Sequence, residues 1–327
     1  MQYRKPLISV LTPTWNRGDY LERVWNGLAA QTYCNFEWIV CDDGSDDATL
    51  QVLSALVDQS SFPVTVLVAS HHIGKARMDN EAVALAKGEL ILWNDSDDVL
   101  QAHALAVLVD AWNSIPVSEL HEFIGVTALC ATEAGVISSS LPMTERFDAS
   151  WNDLREKFRV TGDMLYCTRA DVLKQHPFPE VDFVVPEGIV WTSIGNAKTR
   201  VCPTVVQVKE YEAAHCISFS RKMQYCRGRA YALAKLQGNL RRYPKPIAAK
   251  LWQLVTYLRC SIHGELPLQR ARLLWADNTS SAIYYSMLPI AWLLALRDRV
   301  QGKVRKTHRD FDLASREVEI SIRSFPK

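Results

Sequence analysis

Neither GxGxxG nor GxxxxGK[ST] occurs in the 327 residues, so neither the dinucleotide fingerprint nor a P-loop accounts for a nucleotide site here. CxxC spacing is absent too. The eight cysteines (Cys34, Cys41, Cys130, Cys167, Cys202, Cys216, Cys226 and Cys260) are scattered, several inside apolar runs. That pattern excludes a disulfide scaffold and a structural zinc site, and it predicts reduced thiols in a cytoplasmic protein. Charge of neither sign prevails, with 37 Lys and Arg against 36 Asp and Glu. No global field therefore marks a nucleic-acid binder. Residues 1–6 lack the charged, apolar and small-residue regions of a secretion signal. The most apolar segment, residues 282–296, is interrupted by Pro289 and falls short of the ~20 residues a spanning helix needs.

What remains is ordinary globular composition, 48% hydrophobic and 22% charged. At roughly 150 residues per domain, the length predicts about two domains. Short β-branched runs at 7–11, 37–41, 64–68 and 90–93 alternate with helical patterns at 20–31, 47–58 and 76–87. This is the signature of parallel βαβ construction, a doubly wound α/β sheet with a ligand crevice at the carboxyl ends of its strands. After a helix at 101–113 the alternation stops. Further strands are expected at 123–132, 162–167 and 199–209. A Ser-, Thr- and Pro-rich loop is expected over the open face at 134–151. From about residue 215 the sequence turns helical and rich in Arg, Leu, Tyr and Trp. The domain expectation is thus 1–214 for a ligand-binding sheet domain and 215–327 for a helical subdomain.

Polar clusters follow each of the first four strands. Asn94-Asp95-Ser96-Asp97-Asp98 is the most telling, because three carboxylates within four residues repel one another unless solvent or a cation intervenes. Hard oxygen ligands at a strand end suit Mg²⁺ or Mn²⁺ shared with a phosphate, whereas a solvated acidic turn is the plain alternative. Asp42-Asp43-Gly44 follows the second strand and offers carboxylates for a ribose hydroxyl or base N–H, or a simple turn and cap. Thr12-Pro13-Thr14-Trp15-Asn16-Arg17 places hydroxyls, an aromatic face and a cation after the first strand. Gly74-Lys75-Ala76-Arg77 opens the third helix, whose dipole and two cations favour a diphosphate. His71 and His72 sit nearby as donor contacts or surface imidazoles.

This ordered set resembles the family 2 glycosyltransferases, which have the GT-A fold, a doubly wound mixed sheet flanked by helices, and invert the anomeric centre. Residues 9–17 resemble the family's opening strand, residues 31–47 its nucleotide-binding second strand, and residues 74–80 with 88–98 its approach to the metal-binding DxD. The resemblance implies a nucleotide-sugar donor, a UDP-sugar, held by Thr12, Pro13, Thr14, Arg17, Asp42, Asp43, Lys75, Arg77, Asn80, Asp95 and Ser96. It implies a divalent metal, Mn²⁺ or Mg²⁺, at Asp95, Asp97 and Asp98. Asp79 stands before Asn80 where many members carry Arg, so donor contacts there pass to Lys75 or Arg77. Pro186-Glu187-Gly188 resembles a branch in which Pro-Glu precedes a Trp-containing helix, which makes Glu187 the expected base. Gly188 replaces the usual Asp, and a carboxylate favoured by the helix dipole is the alternative. Asp163 is the expected acceptor contact, with a turn residue as the alternative, and His215 is a candidate late metal ligand.

The implied acceptor is a glycan or lipid-linked glycan. Tyr284, Tyr285 and Trp292, followed by a basic segment, suggest peripheral contact with the cytoplasmic membrane face, against the alternative of a helix packed on the catalytic domain. A nucleotidyltransferase is the rival enzyme, although it ordinarily has a glycine-rich basic loop after its first strand. A nucleotide-sugar-binding protein without turnover is the rival outside catalysis.

Overall fold

A computed structural model describes residues 7–141, 143–181, 183–210, 225–236, 246–275, 279–303 and 319–325. His215 and Cys216 lie outside them. The chain forms two compact units, one of residues 1–178, 194–214 and 315–327, the other of residues 179–193 and 215–314.

The first unit begins with β1 (Ile8–Thr14), α1 (Gly18–Ala29), β2 (Phe36–Asp42), α2 (Thr49–Gln59), β3 (Val64–Ala69), α3 (Lys75–Leu85) and β4 (Leu90–Trp93). There follow β5 (Val99–Leu100), α4 (Ala104–Asn113), β6 (Phe123–Thr132), β7 (Phe147–Ser150), β8 (Met164–Arg169) and α5 (Ala170–Gln175). After α6 (Gly188–Ile194), most of which belongs to the second unit, β9 (Lys198–Lys209) returns to the sheet. The second unit continues with α7 (Cys226–Leu236), α8 (Ile247–His263), α9 (Leu268–Leu274), α10 (Ser281–Ser286) and α11 (Leu288–Val300), and β10 (Ile320–Phe325) closes the sheet.

The strand order is β10-β3-β2-β1-β4-β8-β6-β9-β5, with β7 beside β9. Strands β3, β2, β1 and β4 run parallel, and β8 pairs antiparallel with β4 and β6, so the sheet is mixed as expected. Every residue of β1 and β2 is buried, as befits parallel strands covered on both faces. Leu21, Val24 and Leu28 place one apolar stripe of α1 against that core. The chain steps outward from β1 to β2 and β3, then returns to β1's other side as β4. This reversal opens a crevice between the carboxyl ends of β1 and β4.

Several expectations change in detail. The first strand runs on through Thr14 instead of ending at Leu11, because Thr12, Pro13 and Thr14 continue the β2 register up to Asp42. Segment 134–151 contains β7, and bridges join Ala131 to Ile137 and Ser139 to Gly162. Two stretches group differently from a division at 214/215. β10 adds an antiparallel edge to β3, which ties the last residues to the sheet unit. Residues 183–185 run against α7 so closely that a Cβ on Gly228 would stand 1.8 Å from the Val184 carbonyl oxygen. That contact, with Phe183 edge-on to Tyr231, ties the 179–193 segment to the helices.

The helical unit packs around Tyr257, Leu258, Cys260, Trp275 and Tyr284. Its buried polar centre is Asp298, which accepts hydrogen bonds from Arg259 Nε and Nη2, both at 2.5 Å, and stands 3.0 Å from His263 Nε2. Burial opposes ionisation of Asp298, but the bonds from Arg259 and His263 outweigh it and hold the carboxyl below its ordinary value. Asp298→Ala leaves buried donors without their acceptor and is expected to cost about 3 kcal/mol or more, read as a lower Tm. In the native protein the Asp298 contribution is complete above the usual carboxylate pKa of ~4. It is lost only as pH falls through the depressed folded value, which acid titration of Tm checks.

Candidate active site

Three strand ends converge in the sheet unit. Asp43 N donates to Thr14 O (2.9 Å) and Asn94 N donates to Leu11 O (2.9 Å), so the segments after β2 and β4 both begin on β1.

On the β2 side, Asp42 is fully buried and accepts from Ser45 N (3.0 Å) and Ser45 Oγ (2.5 Å). Burial raises its pKa, and the Ser45 bonds partly offset that rise. Asp43 accepts from the backbone N–H groups of Ile73 (2.7 Å) and Gly74 (2.9 Å), and His72 Nδ1 lies 2.9 Å from its carboxylate. Gly44 makes this approach possible: at φ +70° its absent Cβ would lie 2.3 Å from the His71 carbonyl carbon. Trp15 stacks on His72 with ring centroids 4.2 Å apart, presenting a flat aromatic surface beside Asp43.

On the β4 side, each carboxylate of the acidic turn meets a cation. Arg17 Nη1 lies 3.4 Å from Asp97, Lys75 Nζ 3.8 Å from Asp95, and Lys209 Nζ 2.5 Å from Asp98 and 3.8 Å from Asp95. Desolvation works to raise the pKa of Asp95, but Lys75, Lys209 and Arg17 hold it below the ordinary range. Asp97 is raised, by burial first and the charge of Asp95 second, with Arg17 opposing. Burial also raises Asp98, against the pull of Lys209.

A divalent ion fits part of this donor set. The Asp95 side chain is 39% exposed, and its charge disfavours ionisation of Asp97, so a cation between the two would relieve a repulsion already present. Asp98 does not fit: it is buried, bonded to Lys209 Nζ, and also accepts from Glu210 N (3.3 Å). Among the described residues no cluster of three His, Cys, Asp or Glu side chains is arranged for a metal. Two carboxylates therefore remain, and the rest of a coordination shell would come from ligand phosphate and water.

Other expected contacts are corrected. The Thr12 hydroxyl is buried and accepts from Trp38 Nε1 (2.9 Å), and Pro13 is buried in β1 beside it; Thr14 ends the strand with its hydroxyl buried. Asn80 is engaged on the Phe178 backbone through both amide atoms (2.9 Å each), which fixes α3 to the chain after α5. Arg77 pairs with Glu81 one turn along α3 (2.8 Å). Asp43, not a free ligand, meets the amides just before α3. Ser96 is buried within the acidic turn. Asp163 immediately precedes β8 and its backbone N–H donates to Ser138 O (3.3 Å). Glu187 belongs to the second unit, exposed, with its carbonyl accepting from Val190 N (3.0 Å) at the start of α6.

Three contributors escaped the sequence reading. Asp79 accepts from Lys75 Nζ (2.9 Å) and Trp93 Nε1 (3.2 Å), steering Lys75 toward Asp95. Gln207 donates to Asn94 Oδ1 (2.9 Å), and Lys209 holds Asp98. Irregular β6–β9 pairing around Leu129 re-aims the end of β9 so that Gln207 and Lys209 reach the turn. Asp79 alone had a legible signal, its i, i+4 spacing from Lys75 on a helix.

Residues 9–118 match the Glycosyl transferase family 2 model. Glycosyltransferase GlyG of Streptococcus pneumoniae is 37% identical over 102 residues, 31% of this chain and 34% of GlyG. The shared segment thus spans about a third of that relative. The structure of Staphylococcus aureus TarS 1-349 in complex with UDP-GlcNAc superposes with a TM-score of 0.55 at 20% identity, covering 91% of this chain and 83% of that one. The mannosyltransferase PcManGT from Pyrobaculum calidifontis, in complex with GDP-Man and Mn²⁺, gives 0.51 at 18% identity, covering 90% and 88%.

Asp43→Ala removes the acceptor for two backbone donors. The expected cost is about 1–3 kcal/mol, with faster amide hydrogen exchange confined to residues 71–75. Unchanged protection of Ile73 and Gly74 would contradict the capping role.

Proposed function

We propose that the chain, whose residues 9–118 match the Glycosyl transferase family 2 model, transfers one sugar from a UDP-sugar to a hydroxyl of a glycan or lipid-linked glycan, inverting the anomeric carbon. The observation that carries this reading is the meeting, at one sheet edge, of an aromatic face beside Asp43 with a cation-flanked carboxylate pair, Asp95 and Asp97. The first suits a base and ribose, the second a diphosphate. TarS bound to UDP-GlcNAc supports the choice of uridine.

In this reading Trp15 stacks on the base, and Asp42 and Asp43 supply acceptors toward base or ribose. Arg17 and Lys75 face the diphosphate with charge fixed in advance, which lowers the reorganisation needed as the leaving group gains charge. A divalent ion, Mn²⁺ or Mg²⁺, held by Asp95 and Asp97 would supply further neutralisation of the departing diphosphate. Glu187 removes the acceptor hydroxyl's proton as that oxygen attacks opposite the diphosphate, and Asp163 orients the acceptor. The family match disfavours the nucleotidyltransferase alternative, and release of UDP on incubation with acceptor separates catalysis from binding without turnover.

Peripheral contact with the cytoplasmic membrane face is the reading favoured for its place of work. No described helix is long and apolar enough to cross a membrane. Trp292 (54% exposed), Leu293, Leu296 and Val300 (81% exposed) lie on α11 with exposed Arg297 and Arg299, a combination suited to an anionic interface. Vesicles containing phosphatidylglycerol are expected to pull down the full chain at low salt, and Trp292→Ser with Leu296→Ser to abolish that binding without lowering Tm.

The catalytic roles are tested by substitution. Glu187→Gln is expected to lower turnover by about 10²–10⁴-fold while UDP affinity stays within about two-fold. Asp97→Asn is expected to weaken UDP binding measured with Mn²⁺. Undiminished transfer by either folded variant would reject its assignment.

A further inference from the structure

Lys209 stands at the end of β9, outside residues 9–118, yet its ammonium lies within the acidic turn, 2.5 Å from Asp98 and 3.8 Å from Asp95. Its side chain is 19% exposed, so the charge is partly withdrawn from water and weakly screened. Lys75 approaches the other oxygen of the Asp95 carboxylate at the same 3.8 Å. Asp95 is thereby flanked by two ammonium groups, each with a second carboxylate to fix its position: Asp79 for Lys75 and Asp98 for Lys209. Neither pairing is local surface decoration. Asp79 and Asp98 are both buried, and the turn is further fastened to β9 by Gln207 on Asn94.

Resting on the donor reading above, we propose that Lys209 is a positioning residue and built-in counter-cation of the diphosphate site. It holds the turn through Asp98 and offsets part of the turn's negative charge beside Asp95, so that a diphosphate meets less repulsion there before any metal ion enters. Asp98 then acts as the anchor of this cation, which explains why a third carboxylate persists in the turn without being available as a ligand. The recognised chemistry is a nucleoside diphosphate, and the contribution concerns its phosphates, not its base.

The experiment compares UDP with uridine on the full chain by calorimetry, in EDTA and in Mn²⁺. Wild type is expected to bind UDP measurably in EDTA. Lys209→Met is expected to weaken that binding by at least about ten-fold and leave uridine affinity unchanged, with Lys209→Arg retaining most of it. Because Lys209→Met strands Asp98, the pair is also removed together as Asp98→Asn with Lys209→Met, which is expected to restore Tm but not UDP affinity. Wild-type UDP affinity in either folded variant lacking Lys209, or equal losses for UDP and uridine, would overturn the proposal. Failure of wild type to bind UDP in both media would instead strike the donor reading itself, and this inference with it.

Discussion

The structure depends on offsetting the mutual repulsion of Asp95, Asp97 and Asp98 at the end of β4. Carboxylates so close in sequence cannot all ionise in a partly buried turn unless cations stand beside them. Here three are supplied from three places: Arg17 after β1, Lys75 at the start of α3, and Lys209 at the end of β9. Each element carrying a cation is therefore drawn to the same edge. The irregular pairing around Leu129 is best understood this way, since a regular β9 would not deliver both Gln207 and Lys209 to the turn. The acidic motif thus organises the sheet's edge as well as offering groups to a ligand.

The opposite wall follows a different rule. Asp42 and Asp43 are buried with backbone N–H groups as principal partners, and these dipoles satisfy them without adding net charge. A site lined on one side by carboxylates paired to side-chain cations and on the other by carboxylates locked onto amides is asymmetric. Groups on the first side can exchange partners when an anion arrives, at low cost, because an ammonium that leaves a carboxylate for a phosphate oxygen keeps a charged partner. Groups on the second side cannot move without stranding buried N–H donors, so they are suited to shape and hydrogen-bond recognition.

Much of the first wall was legible in the sequence because it is local. Strand, polar cluster and helix succeed one another within about thirty residues, and the carboxyl ends of parallel strands must share an edge. Arg17, Lys75, Asp95 and Asp97 were singled out on that logic, and the structure brings them together. Thr12 and Asn80 misled for a shared reason: each is a polar residue in a functional neighbourhood whose hydrogen bond goes to the scaffold, Trp38 in one case and the Phe178 backbone in the other. Lys209 was invisible because its partner lies 111 residues earlier, and only the register of β9 brings them together. Residues 320–325 were hidden for a similar cause. A short alternating segment after a helical region carries no sign of which sheet edge it will join, and here it is β3.

The charge arrangement also constrains where a proton can go. A carboxylate flanked by two ammonium groups is a poor base, since protonating it forfeits both attractions, and this is the condition of Asp95. Asp98 is already bonded by Lys209, and protonation would break the contact that holds the turn. Asp43 is engaged by the backbone N–H groups of Ile73 and Gly74. The cations that prepare this edge for a diphosphate thus make Asp95 unsuited to accept a proton from a sugar hydroxyl.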